Sequence, residues 1–293
     1  MELIKFSENT YYIKNAVNIG VIRLSDNRVC LIDSGADKDT GKKVLKLLSA
    51  EGLEVEYIIS THSHADHIGA NSYIKEKTGC KIFANKAEVP FCNYTYFEPA
   101  FLWGSLPFEE IKSKFLLAQE CETRDISQLD LPSSLEIISL PGHCFDMIGV
   151  KTGDGVFFAA DALFSEKTAE KYHFCYIYDV KAYLETLEVL KNTQARLFVP
   201  AHCEAGENIT SLCEINKNKV LSICDDILGI CAEGKMFEDI LKAVFDKYSL
   251  TMNATQYLLV GATIKAYLTY LKNENKIEFF FEDNRMLWKR VEF

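Results

Sequence analysis

The segment 60-STHSHADHIGAN-71 places His62, His64, Asp66 and His67 within six consecutive positions of a chain that holds six histidines in all. Imidazole nitrogens and carboxylate oxygens together suit divalent ions of borderline softness, zinc first, with iron and manganese as alternatives. His62 and His64 occupy alternate positions of an extended turn, so they project to one side and can share one ion. Asp66 and His67 open the following helical stretch and can face a second. An exposed histidine-rich turn without metal is the plainer alternative for this motif taken alone.

Four more residues of ligand type share one local setting. Asp33 follows the apolar run 29-VCLI-32, and His143 follows 135-LEIISL-140 through Pro141 and Gly142. Asp161 follows 156-VFFAA-160, and His202 ends 196-RLFVPAH-202. Each sits where a buried strand gives way to a loop, the position at which open sheets collect active residues. Singly, His143 and His202 read as turn histidines and Asp161 as a helix N-cap. Jointly, with five of the six histidines at such ends, they point to one site.

The elements that must position these residues follow from periodicity. Strands are expected at 3–6, 11–13, 19–24 and 29–32, then a helix over 40–50 and a strand at 57–60 that delivers the chain into the histidine motif. A helix over 68–77 and a strand at 80–84 come next. From about 86 to 130 the pattern loosens into an aromatic-rich insertion, read as a lid or binding loop, or as a cover packed on the core. Strands return at 135–140, 147–151, 156–160 and 196–202, with a helix over 179–191. Beyond residue 214 helices at 216–231, 236–248 and 253–273 precede an alternating hairpin pattern at 277–293. The expected division is thus a catalytic domain over 1–213 and a small winged-helix-like domain over 214–293.

Composition narrows the function classes. A chain of 293 residues, 48% hydrophobic and 25% charged, is ordinary globular material, and a net charge of −10 argues against a sequence-blind grip on nucleic acid or anionic lipid. The segment from Ile215 onward carries 11 Lys and Arg against 11 Asp and Glu, so the winged-helix-like tail is expected to wall the cleft or mediate a homodimer rather than bind DNA. Neither a leader pattern nor an apolar run of about 18 residues is present, so no membrane is expected and the cytoplasm is the simplest address. Ten cysteines without a C-x-x-C pair read as reduced thiols.

On these residues the sequence resembles the metallo-β-lactamase superfamily. That family's H-x-H-x-D-H motif corresponds to 62-HSHADH-67, its later histidine to 141-PGH-143, its bridging aspartate to Asp161 and its last histidine to His202. The resemblance spans roughly residues 3–213. It implies an α/β fold, a four-layer αβ/βα sandwich with two metals at its edge. It further implies His62, His64 and His143 on one metal, Asp66, His67 and His202 on the other, Asp161 between them, and Asp33 hydrogen-bonded to a ligand, fixing its tautomer. A turn-capping Asp33 is the alternative.

The activity implied is hydrolysis of an ester-like bond in a small molecule: thioester, lactone, ester, β-lactam or phosphodiester. Asp66 would be catalytic, orienting the nucleophile and moving its proton. The β-lactam branch is disfavoured because its cysteine-bearing members place that cysteine where Asp161 stands. Tyr172, His173 and Tyr176 are expected at the substrate pocket, His173 otherwise being part of an aromatic helix edge. The competing readings are a mononuclear-iron, persulfide-dioxygenase-like oxidoreductase and a non-catalytic metal-dependent ligand sensor.

Overall fold

Runs of apolar residues with β-branched members build two sheets. The computed structural model of the chain describes residues 1–291, leaving out the side chain of Tyr172, so that part of the pocket expectation lies outside the described residues. Strands β1 (Glu2–Lys5), β2 (Thr10–Lys14), β3 (Ile19–Arg23), β4 (Arg28–Ile32), β5 (Glu54–Ile59), β6 (Lys81–Ala84) and β7 (Arg124–Asp125) form one sheet in chain order. It is antiparallel from β1 to β4 and parallel from β4 to β7. Strands β8 (Leu135–Ser139), β9 (Ile148–Thr152), β10 (Val156–Ala160) and β11 (Leu197–Pro200) form a second sheet in the order β11-β10-β9-β8, with β10 parallel to β11.

Helices α1 (Lys38–Ala50), α2 (Ala65–Ile68) and α3 (Asn71–Thr78) belong to the first half, and α4 (Val89–Asn93) and α5 (Phe97–Trp103) to the insertion. Helices α6 (Glu166–Tyr172) and α7 (Val180–Asn192) connect β10 to β11. Then come α8 (Thr210–Ile230), α9 (Phe237–Lys247), α10 (Ala254–Asn273) and the hairpin of β12 (Ile277–Glu282) and β13 (Arg285–Arg290).

Strand alternation assigns each residue to a layer. On β4, Val29 and Leu31 pack with Val44 and Leu48 of α1 and Ile74 of α3, whereas Cys30 and Ile32 face the other sheet. On β10, Val156 and Phe158 meet that inner layer, and Phe157 and Ala159 pack outward with Tyr183, Leu187 and Leu190 of α7. Helix, sheet, sheet, helix is the αβ/βα sandwich expected from the sequence.

Two expectations along the chain are corrected. The helix expected over 68–77 is broken after Ile68 and resumes at Asn71, and Gly69 between them stands where a Cβ would lie 2.0 Å from the carbonyl oxygen of Ala36. The 33–36 turn occupies that space and binds the break, the Ser34 amide donating to the His67 carbonyl (2.9 Å) and the Ala70 amide to that of Gly35 (3.1 Å). The insertion is not irregular throughout: α4 carries Pro90 in its first turn and α5 stops at Gly104 with φ of 80°. Helices this short fall below the window in which periodicity registers.

Residue 214, near which the boundary is expected to within several residues, lies in the first turns of α8. Val220, Ile223 and Ile227 of α8, Leu241 and Val244 of α9 and Ile264 and Leu268 of α10 share one core with Phe157, Phe198 and Tyr183. The hairpin turns through Asp283 and Asn284 with φ of 48° and 58°, the two positive values a type I′ turn requires. Among the described residues no helix is long and apolar enough to cross a membrane.

Candidate metal centre

Strand ends bring the seven ligand-type residues together. The chain leaves β5 at Ile59 and reaches His62 and His64 in the loop before α2, which carries Asp66 and His67. His143 follows β8, Asp161 follows β10 and His202 follows β11. A register irregularity between Phe158 and Ala160, with Ala160 at φ of 48°, turns the end of β10 so that Asp161 enters the cluster. Gly142, at φ of 121°, lets the His143 turn approach α7: a Cβ there would sit 2.3 Å from the Tyr183 amide nitrogen.

Three groups have ligand atoms all within 4.8 Å of one another: His62, His64 and His143; His62, His67 and Asp161; Asp66, His67 and His202. Asp161 is shared, its carboxylate lying 3.1 Å from His67 Nε2, 3.3 Å from His202 Nε2 and 3.4 Å from His143 Nε2. Asp66 Oδ2 is 3.3 Å from His202 Nε2.

The outer nitrogens fix which lone pairs face inward. Nδ1 of His67 donates to Asp33 Oδ2 (2.8 Å), that of His143 to the Tyr176 carbonyl (2.9 Å) and that of His202 to the Ala16 carbonyl (3.1 Å). His62 Nδ1 donates to Thr61 Oγ1 (3.0 Å), whose hydroxyl donates to Asp33 Oδ2 (2.8 Å). With their Nδ1 protons so engaged, these four imidazoles present Nε2 lone pairs to the centre. His64 presents Nδ1 instead, 3.1 Å from His62 Nε2 and 2.9 Å from His143 Nε2.

The donor set fits cations. His67 Nε2 and Asp161 Oδ1 are buried and face each other at 3.1 Å without hydrogen-bond alignment, and neither has another protein partner. Buried polar atoms are seldom left so. Burial, with the neighbouring imidazoles, holds His62 far below its ordinary pKa; His64 is pushed down to about 4 and His143 to about 3, which favours the neutral imidazole at all three. On the other side Asp161 raises His202 to about 10, and the carboxylates of Asp161, Asp33 and Asp66 overcome burial to raise His67. A cation bound here would take the place of protons on these two imidazoles, so binding would release protons.

The neighbouring thiols are not donors. Burial lifts the Cys203 thiol to about 12 and Cys144 well above its ordinary value, and Cys203 Sγ donates to the Leu163 carbonyl at 3.3 Å.

Of the residues expected at the substrate pocket, Tyr176 packs edge-on against His64 and His143, with ring centroids 5.4 and 5.7 Å away, and lines a cavity of about 390 Å³ with Phe101, Tyr178, Lys181, Lys265 and Tyr270. His173 takes another place. Its Nδ1 accepts from Lys219 Nζ of α8 (3.1 Å), and its ring lies 4.9 Å from that of Tyr248 after α9. The φ of 56° at His173, just past the end of α6, is the local feature that accompanies this turn toward the C-terminal helices.

Sequence reasoning missed Asn18, Thr61 and Glu98. Asn18 Nδ2 donates to the carbonyls of Pro200 (2.9 Å) and Cys203 (2.8 Å), bracketing His202. Glu98 of α5 is buried with Oε1 3.7 Å from His64 Nε2. The only signal for it was an acid inside the apolar run 96-YFEPAF-101.

Burial, reinforced by Glu88, pushes the Glu98 carboxyl up to about 8 from an ordinary 4.5. A raised folded value means a proton taken up on folding, so this contribution to stability is complete below about 4.5 and is lost as pH rises to about 8. Glu98→Gln is therefore expected to flatten the fall in stability of the metal-free protein between pH 5 and 8.5, read from urea midpoints. An unchanged slope would contradict it.

Residues 13–202 match the metallo-beta-lactamase superfamily. A hydroxyacylglutathione hydrolase of Rhodopseudomonas palustris (strain BisB18) is 31% identical over 153 residues, 48% of this chain and 50% of that protein. One from Methylobacillus flagellatus is 26% identical over 154 residues, 50% of this chain and 51% of that protein. The chain thus spans about half the length of these curated relatives. A metallo-beta-lactamase family protein from Thermus thermophilus has a TM-score of 0.68 at 20% identity, covering 98% of this chain and 100% of that one. A beta-lactamase domain protein from Burkholderia ambifaria gives 0.72 at 15% identity, covering 99% and 94%. These two are likenesses of fold, and they extend through the C-terminal helices. With 13–202 matched and the sandwich built as described, the chain belongs to the metallo-beta-lactamase superfamily.

Proposed function

We propose that the protein is a hydrolase that holds two divalent cations, zinc first, and cleaves an ester-like bond of a small molecule. The observation that carries this reading is the convergence of inward-facing imidazole nitrogens on Asp161, with His67 Nε2 and Asp161 Oδ1 lacking any other partner. His62 and His64 of the H-x-H-x-D-H pattern and His143 of the later Pro-Gly-His turn would hold one cation, Asp66, His67 and His202 the other, and Asp161 would touch both. Bound divalent cations supply an acidified water and a polarised carbonyl.

The protein's own residues supply placement. Asp66 is the most exposed acid of the cluster, at 44%, and His67 and His202 outweigh burial to hold its carboxyl at about 2. It is therefore an anion that can orient an attacking water and pass its proton outward. Tyr176, half-buried and held as the neutral phenol, packs against His64, lines the cavity and can donate to the leaving group. The cavity would seat the substrate's tail, with α10 as one wall, and the winged-helix-like unit over 214–293 serves as packing rather than as a DNA reader.

Among ester-like bonds the thioester comes first. Two relatives bear the name hydroxyacylglutathione hydrolase, and an acyl group joined to glutathione through sulfur is a thioester. Zinc-loaded protein offered chromogenic thioesters, lactones, esters and bis-p-nitrophenyl phosphate is expected to turn over thioesters fastest and to lose that turnover on chelation. Full activity in excess chelator would contradict the proposal, as would hydrolysis of no panel member.

A further inference from the structure

We propose that Glu88, at the start of the insertion, is a positioning residue that clamps the His62–His64 turn to the His143 turn and so sets the geometry of one cation site. The inference rests on the reading of those three histidines as one site. Glu88 is fully buried immediately ahead of α4. Its Oε2 accepts from the Ser63 amide (3.0 Å) and from the Ser63 hydroxyl (2.6 Å), and its Oε1 accepts from the Asp146 amide (3.0 Å). Ser63 is the residue between His62 and His64, and Asp146 lies three positions after His143.

In an extended turn neighbouring side chains point to opposite sides, so a Ser63 directed at Glu88 leaves His62 and His64 directed at the centre. The tie is mutual. The Ala87 amide donates to Asp146 Oδ2 (3.3 Å) and Asn85 Nδ2 to the Asp146 carbonyl (3.4 Å). One carboxylate thus accepts backbone N–H groups from both turns that carry this trio, in a place closed to water. His67 is held instead by Asp33, and His202 by the Ala16 carbonyl, with Asn18 bracketing its turn.

The clamp requires a carboxylate. An amide has one acceptor oxygen, and its NH2 would oppose either the Ser63 or the Asp146 amide, donor against donor. Glu88→Gln therefore opens one arm at unchanged volume.

The test is stepwise zinc titration of the full chain against a chromophoric chelator, with circular dichroism to verify the fold. Wild type is expected to bind two equivalents. Glu88→Gln is expected to weaken one of them about 10–100-fold, the range for a lost outer partner of a metal site, and to leave the other unchanged. Ser63→Ala, which removes only the hydroxyl donor, is expected to weaken the same equivalent by about tenfold and guards against a Glu88 variant that does not fold. Wild-type affinity in Glu88→Gln and Ser63→Ala would overturn the clamp. So would equal loss at both equivalents, which is the mark of general destabilisation. A wild type that binds no zinc would instead overturn the site reading on which the clamp depends.

Discussion

Replacing Asp161 by alanine is expected to lower kcat/KM for the best thioester by more than about 10³-fold, beyond the loss of a single transition-state donor, and to lower the bound zinc. Among the described residues Asp161 is the one carboxylate within 3.4 Å of imidazoles from both proposed cation sites, reaching His67, His202 and His143. Without it two buried cations would meet with no anion between them. Asp161→Asn separates charge from shape, since the amide keeps one acceptor oxygen and nearly the same volume. If the charge dominates, the asparagine variant loses nearly as much activity and zinc as the alanine variant. Activity within tenfold of wild type at full zinc occupancy would remove Asp161 from the centre.

Asp33→Asn is expected to weaken zinc binding by about 10–100-fold, and Asp33→Ala to cost about 3–5 kcal/mol of stability in addition. Asp33 is buried, with φ of 62°, a conformation that aspartate tolerates better than most residues. Its carboxylate accepts from the Thr61 amide (2.7 Å), the Thr61 hydroxyl (2.8 Å) and His67 Nδ1 (2.8 Å). Through Thr61 it also reaches His62 Nδ1. One side chain thereby orients a ligand of each cation. An amide keeps one of its two acceptor positions and turns the other into a donor, and alanine strands three donors in the interior. Urea unfolding of the metal-free variants measures the stability, and chelator competition measures the affinity. A variant indistinguishable from wild type in both would leave Asp33 only its role in the turn.

The cluster was legible because each of its members follows a strand whose apolar pattern is unmistakable, such as 29-VCLI-32 and 156-VFFAA-160. A sandwich whose strands end at one edge brings those ends together whatever their separation in sequence. What escaped notice depends on contacts between distant segments. At the break after Ile68 the backbone hydrogen bonds go to Ser34 and Gly35, and nothing in 65-ADHIGANS-72 announces it beyond one glycine. Glu88 and Glu98 lie in an insertion whose helices are 5 and 7 residues long, too short for a periodic signature. His173 follows Asp161 closely in sequence, and the turn after α6 carries its ring to Lys219 and Tyr248, a placement set by helices far along the chain.

Anomalous diffraction at the zinc edge, on crystals grown with zinc, tests the central claim most directly. Two peaks are expected, one enclosed by His62, His64 and His143 and one by Asp66, His67 and His202, each within bonding distance of Asp161 or of a bridging solvent oxygen. A map without density at these positions, or with zinc only at surface carboxylates, would contradict the account.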